Sequence, residues 1–435
     1  MTALAARPLA DPGQLSAGTG AAVWWLGQAG FLVAQGGLRI VVDPYLSDSL
    51  AEKYRGTRFP HRRMMPPPVA PGELAGIDWL LCTHGHTDHM DPGTIPALLA
   101  ANPNARVLVP RAEAERALAR GVPADRLATV DAGESRDLGG VTCTAIPAAH
   151  EALERTPDGY RCLGYVLTGG GVSLYHSGDT VPWPGLAEWL LPFRVDLALL
   201  PVNGRDAERA ANGVPGNLTL AEAAALADAI GARALLGHHF GLFAFNTIDP
   251  VAGRRELAAL EPRCDAALVA PGIAWAVAPA DRPPLSVLFV CKGNICRSPT
   301  AEALLRRRLP GHRVESAGVL DWNVGRPAHA LTRAVAARRG LDLAGHVARQ
   351  VDGGDGSRFD LILAMDDANL AALDDLLPAS RTARLGLLGG YGEPGSRDGI
   401  DDPWGREPAE FERTFDRIDA CCARLGHLAA AAHRS

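Results

Sequence analysis

Apolar residues fall into two different rhythms along this chain. Over roughly the first 280 residues they form short unbroken runs: AAVWWLG, GFLVAQ, LRIVVDP, DWLLCTH, ARVLVP, VTCTAIP, LGYVLTG, VSLYHSGD, VDLALLP, RALLGHH and IAWAVAP. Runs of four to eight apolar residues bounded by turn residues predict buried strands. Few helical periods interrupt them, LTLAEAAALADAIG being one. This half therefore predicts two packed sheets with helices outside. Beyond it, strand-like and helix-like segments alternate: SVLFVC, SPTAEALLRRRL, HRVESAGV, AHALTRAVAARRG, FDLILAM, DDANLAALDDLL, TARLGLLGG and a long closing helix from about Glu407. Alternation of that kind predicts a small parallel sheet wound with helices on both faces.

The two rhythms meet at VAPADRPPL, Val277 to Leu285, where three prolines break any apolar period. The expected organisation is an α/β protein of two domains, residues 1–280 and 285–435. A length of 435 residues exceeds one ordinary core and agrees with two.

Composition removes some functional classes. Hydrophobic residues make up 47% and charged residues 21%, the profile of a globular protein. The net charge is −6 and no long basic run occurs, so nucleic acid is not an expected partner. No stretch approaches the ~20 apolar residues of a membrane span, and the first residues lack a leader-like apolar core. Eight cysteines do not make a disulfide scaffold. The expected location is the cytoplasm and the expected substrates are small molecules or proteins.

Two stretches carry chemistry. In VCKGNICRSPTAEALL a strand delivers Cys291 to the mouth of a helix, with Arg297 six positions on. A thiol attacks as its thiolate, and a helix N-terminus with converging backbone N–H groups favours that charge. The loop Lys292, Gly293, Asn294, Ile295, Cys296 and Arg297 can cradle a phosphate, and the Arg297 fork matches two of its oxygens. Ser298 is expected as the N-cap, its hydroxyl near the thiolate, with Pro299 at the first helical position. In CTHGHTDHMD, His84, His86, Asp88 and His89 follow an apolar run, enough donors to begin two adjacent metal sites. His150, Asp179 and His238 or His239 stand at the ends of later strands and are further candidates. His61 and His176 are expected to be ordinary polar residues.

The C-terminal half resembles the low-molecular-weight protein tyrosine phosphatases. The cysteine loop, SAG at 316–318, DLILAMD at 360–366 and DDPWG at 401–405 occur in that family's order. The resemblance implies Cys291 as nucleophile, Arg297 as phosphate clamp, Ser298 and Asn294 as supports and Asp402 as general acid. It also implies that Cys296 could form a reversible disulfide with Cys291. Lys292 stands where an apolar residue is usual and Trp404 where tyrosine is frequent, so phosphotyrosine is not assured as substrate. No cofactor is expected in this half.

The N-terminal half, over about residues 21–279, resembles the metallo-β-lactamase superfamily, an αββα sandwich with metals at one edge of its sheets. By that resemblance His84, His86 and His150 would hold one ion, Asp88, His89 and His239 a second, and Asp179 would bridge them. Asp88 would also serve catalysis. WWLGQAGF, DPYLSDS, LYHSGDT and LLPVNGR most resemble the L-ascorbate-6-phosphate lactonase branch. That implies a lactone or phosphorylated small molecule, with two divalent ions, Mn, Zn or Fe. The leading expectation is thus a bifunctional hydrolase. A regulatory tyrosine phosphatase whose metal domain captures substrate is the alternative, and a non-enzymatic binding module is a third.

Overall fold

A computed structural model describes residues 3–433. The chain forms two compact units, one running to Pro182 and resuming over Arg194–Asp281, the other made of Trp183–Phe193 together with Arg282–His433. Among the described residues no helix is long and apolar enough to cross a membrane.

The first unit holds an eight-stranded and a seven-stranded sheet. In the first the order is Leu4–Pro8, Ile273–Val277, Ala21–Gly27, Gly30–Gln35, Leu38–Val42, Trp79–Leu81, Arg106–Pro110 and Leu127–Val130. In the second, Asp265–Leu268, Ala234–His238, Leu197–Pro201 and Val172–His176 pair in parallel, and Leu163–Gly169, Thr142–Pro147 and Ser135–Asp137 continue antiparallel. Side chains cross between the sheets. Gln35 Nε2 donates to the carbonyls of Leu167, Gly169 and Val172, and Tyr165 Oη donates to that of Cys82 at 2.8 Å. Buried amides that reach across to the opposite backbone satisfy their own polarity and fix the sheets face to face. All seven residues of AAVWWLG are buried, which explains why the run does not alternate.

Every apolar run named above forms a strand. The structure adds strands that the pattern did not signal: Leu4–Pro8, exposed along most of its length, and Leu127–Val130, Ser135–Asp137 and Asp265–Leu268, short and incompletely buried. Such edge strands take their pairing from neighbours and not from apolar content.

The second unit is a four-stranded parallel sheet in the order Arg313–Gly318, Ser286–Cys291, Leu361–Ala364, Arg384–Leu387. The helices Arg297–Arg308, Ala330–Arg338, Asp367–Leu376 and Pro408–Ala432 cover it. The division at 280/285 needs one amendment, because Trp183–Phe193 belongs with this unit. Its helix Leu186–Leu190 buries Trp189 and Leu190, and Glu188 Oε1 accepts from Arg397 Nε at 2.7 Å. Arg282 Nη1 donates to the Phe193 carbonyl at 2.7 Å. An apolar segment of this kind carries no mark of which core receives it, so sequence assigned it to its neighbours along the chain.

Candidate functional sites

The histidine-rich loop leaves the C-terminal end of the strand Trp79–Leu81, and the other candidate ligands leave the same ends of theirs. His150 lies three residues past Thr142–Pro147, Asp179 three past Val172–His176, and His239 directly past Ala234–His238. Strand ends that open on one edge bring distant residues together. The donor atoms of His84, His86 and His150 lie within 4.8 Å of one another, as do those of His84, His89 and Asp179, and those of Asp88, His89 and His239. Asp179 connects the groups: its Oδ1 is 3.1 Å from His239 Nε2, and its Oδ2 is 3.3 Å from His89 Nε2 and 3.8 Å from His150 Nε2. His239 sits in the left-handed region, φ 67°, which turns its ring out of the strand direction into the cluster. His238 stays in the core, stacked 5.2 Å from His176.

The donor chemistry fits cations. His84 Nε2 is buried and makes no hydrogen bond. Burial, and then His89, His86 and His150, push the His84 pKa well below the usual histidine range, and burial pushes His150 down to about 4. Neutral imidazoles are the form that binds metal. Burial also works against charge on His89, but Asp179, Asp43 and Asp88 outweigh it and hold its pKa well above the ordinary value. Three carboxylates thus converge where positive charge is required.

Three supporting residues were not singled out as site residues by sequence. Asp43, at φ 46°, accepts from Thr83 N at 2.7 Å and Thr83 Oγ1 at 2.6 Å, and its Oδ2 lies 2.8 Å from His89 Nδ1. It fixes the ring whose Nε2 faces the cluster. Gln28, fully buried at φ 50° in the Gly27–Gly30 turn, donates to Asp88 Oδ2 at 3.2 Å and stands 3.3 Å from His239 Nε2. His61, expected to be an ordinary polar residue, lines the pocket beside His86 and Asp88; its ring stacks on Tyr54 at 4.3 Å and lies edge-on to Phe243 at 5.1 Å. Each comes from a separate element, so no spacing announced it. His176 is fully buried and bonds the Ala29 carbonyl through Nε2 at 2.8 Å, a structural role.

In the second unit Cys291 ends its strand and the helix begins at Arg297. The N-cap is Cys296, without a side-chain cap bond, and not Ser298, which lies inside the first turn. Ser298 is turned inward instead: its Oγ is 3.0 Å from Cys291 Sγ and bonds the Ala317 carbonyl at 3.3 Å. Its hydroxyl is taken up by the sulfur, the Asn294 amide and the Ala317 carbonyl, and its place inside the first turn leaves the capping position to Cys296. Asn294, at φ 54°, ties the loop together. Its Nδ2 donates to Ser298 Oγ at 2.9 Å and Ser316 Oγ at 2.8 Å, its Oδ1 accepts from Arg349 N at 2.9 Å, and its N–H points to Cys291 Sγ at 3.3 Å. The second glycine-containing motif has a steric reason: a Cβ on Gly318 would stand 3.1 Å from Asn294 N and from the Gly293 carbonyl carbon.

Arg297 is 2% exposed and lies between two carboxylates, with Nη1 2.6 Å from Asp366 Oδ2 and Nη2 2.9 Å from Asp402 Oδ2. Burial opposes its charge, but Cys291, Asp402 and Asp366 more than compensate and raise its pKa. Its Nε is buried and unpartnered, and the N–H groups of Gly293, Ile295 and Cys296 meet no acceptor among the described residues. Donors gathered on one loop without a protein acceptor are what an anion needs. Lys292, Trp322, Asn323, Asp402 and Trp404 line the pocket above the loop. Asp366 is a further residue that sequence left inside a motif without a role.

Residues 286–433 match the family described as low molecular weight phosphotyrosine protein phosphatase. The phosphatase YfkJ of Bacillus subtilis is 37% identical over 147 residues, which are 32% of this chain and 93% of that protein. Through these residues the chain belongs to the low molecular weight phosphotyrosine protein phosphatase family. The human low molecular weight phosphotyrosine protein phosphatase is 36% identical over 151 residues, 33% of this chain and 94% of its own length. A crystal structure of a protein tyrosine phosphatase from Entamoeba histolytica aligns over 32% of this chain and 94% of its own at 29% identity, with a TM-score of 0.31. Residues 38–240 match the β-lactamase superfamily domain, so a phosphatase domain of this family is joined to a domain of that superfamily.

Proposed function

We propose that the chain is a bifunctional hydrolase, a cysteine phosphomonoesterase joined to a two-metal hydrolase that opens a lactone or ester of a small molecule. The observation that carries the first half is the convergence of Cys291, Arg297 and Asp402 on one loop. Cys291 attacks phosphorus as the thiolate, held by the Asn294 N–H and the Ser298 hydroxyl. The phosphorus–oxygen bond to the leaving group breaks, and Asp402 gives that oxygen its proton. A phosphate seated on Arg297 competes with Asp402 for Nη2, which frees the carboxyl to turn toward the leaving group. Asp402 then takes a proton from water, which attacks the phosphocysteine, releases phosphate and restores the thiolate.

In the other domain His84, His86 and His150 would hold one divalent ion and Asp88, His89 and His239 a second, with Asp179 shared. When bound, two such ions supply a water acidified toward neutrality and polarise the substrate's carbonyl or phosphoryl oxygen. Arg116 and Arg120 hold the loop, donating to the carbonyls of Gly85 and His86. Likeness to the lactonase branch supports a lactone or phosphorylated small molecule as substrate and Mn, Zn or Fe as metal. Wild type and His86→Ala protein, purified without added metal, are to be compared for bound metal and for opening of a lactone and ester panel. Loss of both in His86→Ala is expected. Wild type that carries metal yet opens nothing on the panel removes the hydrolase reading of this domain.

Asp43→Ala should weaken metal binding by roughly 10- to 100-fold through the freed His89 ring. Competition with a chelator of known affinity measures it, and unchanged affinity excludes the orienting role.

A further inference from the structure

Cationic side chains are plentiful in this chain, but lysine is almost missing. Of 43 basic residues only Lys53 and Lys292 are lysines. Each of the two lines a different candidate site. Lys53 stands in the wall of the pocket that holds His86, Asp88 and His239, and Lys292 in that of Cys291 and Asp402. Either pocket takes only a few per cent of the chain, so a random scatter of two lysines would rarely place one in each.

Their surroundings differ from those of the arginines nearby. Arg58 pairs with Glu208, Arg116 with Glu113 at 3.0 Å, and Arg297 with Asp366 and Asp402. Among the described residues neither lysine forms an ion pair. The Lys292 ammonium lies 5.7 Å from the Trp322 ring centroid and that of Lys53 5.0 Å from the Tyr54 centroid. An aromatic face steadies an ammonium without neutralising it. The charge therefore remains available to a ligand.

The choice of lysine has a chemical consequence. An arginine beside Cys291 would offer a second planar fork to the reacting phosphate and compete with Arg297 for it. A compact ammonium on a flexible stem reaches past the phosphate and acts as a point charge. Because Lys292 adjoins the nucleophile in sequence and lines the pocket above it together with Asp402 and Trp404, its ammonium is placed to meet a group carried by the leaving group.

We propose that Lys292 binds a second acidic group, carboxylate or phosphate, on the leaving group of the phosphatase substrate, and that Lys53 binds an acidic group of the substrate in the metal-site pocket. Both sites then select small molecules that carry a negative charge beyond the bond that reacts. The Lys53 part rests on the metal-site reading above; the Lys292 part does not.

Full-length protein is to be assayed on phenyl phosphate and 4-carboxyphenyl phosphate, a pair that differs by one carboxylate. The kcat/KM ratio should favour the carboxylated ester by about tenfold in wild type, fall near unity in Lys292→Gln and recover in part in Lys292→Arg. A merely structural lysine would not move this ratio. A wild-type ratio near one, or one unchanged in Lys292→Gln, overturns the assignment. So does a phosphotyrosine peptide with acidic neighbours that is preferred over both esters through the same lysine. For Lys53, the scarcity of lysine makes acetylation read by mass spectrometry specific. Inorganic phosphate should slow acetylation of Lys53 severalfold, at constant ionic strength, in both metal-loaded and metal-stripped protein. No slowing overturns the Lys53 part, and slowing only in loaded protein assigns the anion to the metals and overturns it equally. Slowing in stripped protein stands even if no lactone or ester is ever opened.

Discussion

Cys291→Ser protein is expected to lose hydrolysis of p-nitrophenyl phosphate by about 10⁴-fold or more, with its bound metal unchanged. The serine oxygen would occupy nearly the same place, 3% exposed at the end of its strand. Its protonation state is what differs. A thiolate is a strong nucleophile and forms far more readily than an alkoxide, whereas an alkyl hydroxyl stays protonated in the same surroundings. Ser298 Oγ, now beside the sulfur at 3.0 Å, would bond the new hydroxyl and hold it in its unreactive form. The substitution is close to isosteric, so the melting temperature should change little and loss of activity cannot be attributed to unfolding. Activity within tenfold of wild type would place the nucleophile elsewhere. Cys296 is then the nearest thiol in the loop, but burial pushes its pKa up to about 12, which makes it a poor substitute.

Much of this site was legible because one short segment carries it. A strand, a loop and a helix start placed Cys291, Asn294 and Arg297 within seven residues, and local chain geometry alone brings those together. Ser298 shows the limit: a serine near a helix start reads as a cap, but the sulfur behind it takes the hydroxyl, and only the packed loop reveals that. The histidine and aspartate cluster was legible at His84 to His89 for the same local reason. His150, Asp179 and the pair His238 and His239 could be named because each follows an apolar run, and it was the family resemblance that singled out His239. Asp43, Gln28, His61 and Asp366 were not assigned, since each reaches its site from an element with its own reason to exist. Convergence of that kind is a property of the sheet edge and leaves no period in the sequence.

The exchanged segment is the sharpest case, and it yields the second large effect. Trp189→Ala in the full chain should lower the stability of the phosphatase unit by about 3–5 kcal/mol. For a domain of this size that corresponds to a fall of roughly 10 °C in the temperature at which phosphatase activity is lost. Trp189 is 1% exposed, and the Arg424 guanidinium lies 4.9 Å from its ring centroid. The receiving backbone is shaped for the segment: a Cβ on Gly390 would stand 2.6 Å from Glu188 Cγ, and one on Gly386 would stand 3.3 Å from Leu191 Cδ1. Glu188 also accepts from the Leu387 N–H at 3.4 Å, at the start of the stretch that leads to Ile400 and Asp402. Since the Ile400 carbonyl accepts from Arg297 at 2.9 Å, loosening this side disturbs the setting of Arg297 as well as the core. A chain that begins at the proline-rich seam lacks Trp183–Phe193 and exposes the surface that segment covers, so it should aggregate unless the segment is supplied. If Trp189→Ala protein keeps its phosphatase activity to the wild-type temperature, the segment contributes nothing to that unit, and the seam alone divides the two domains.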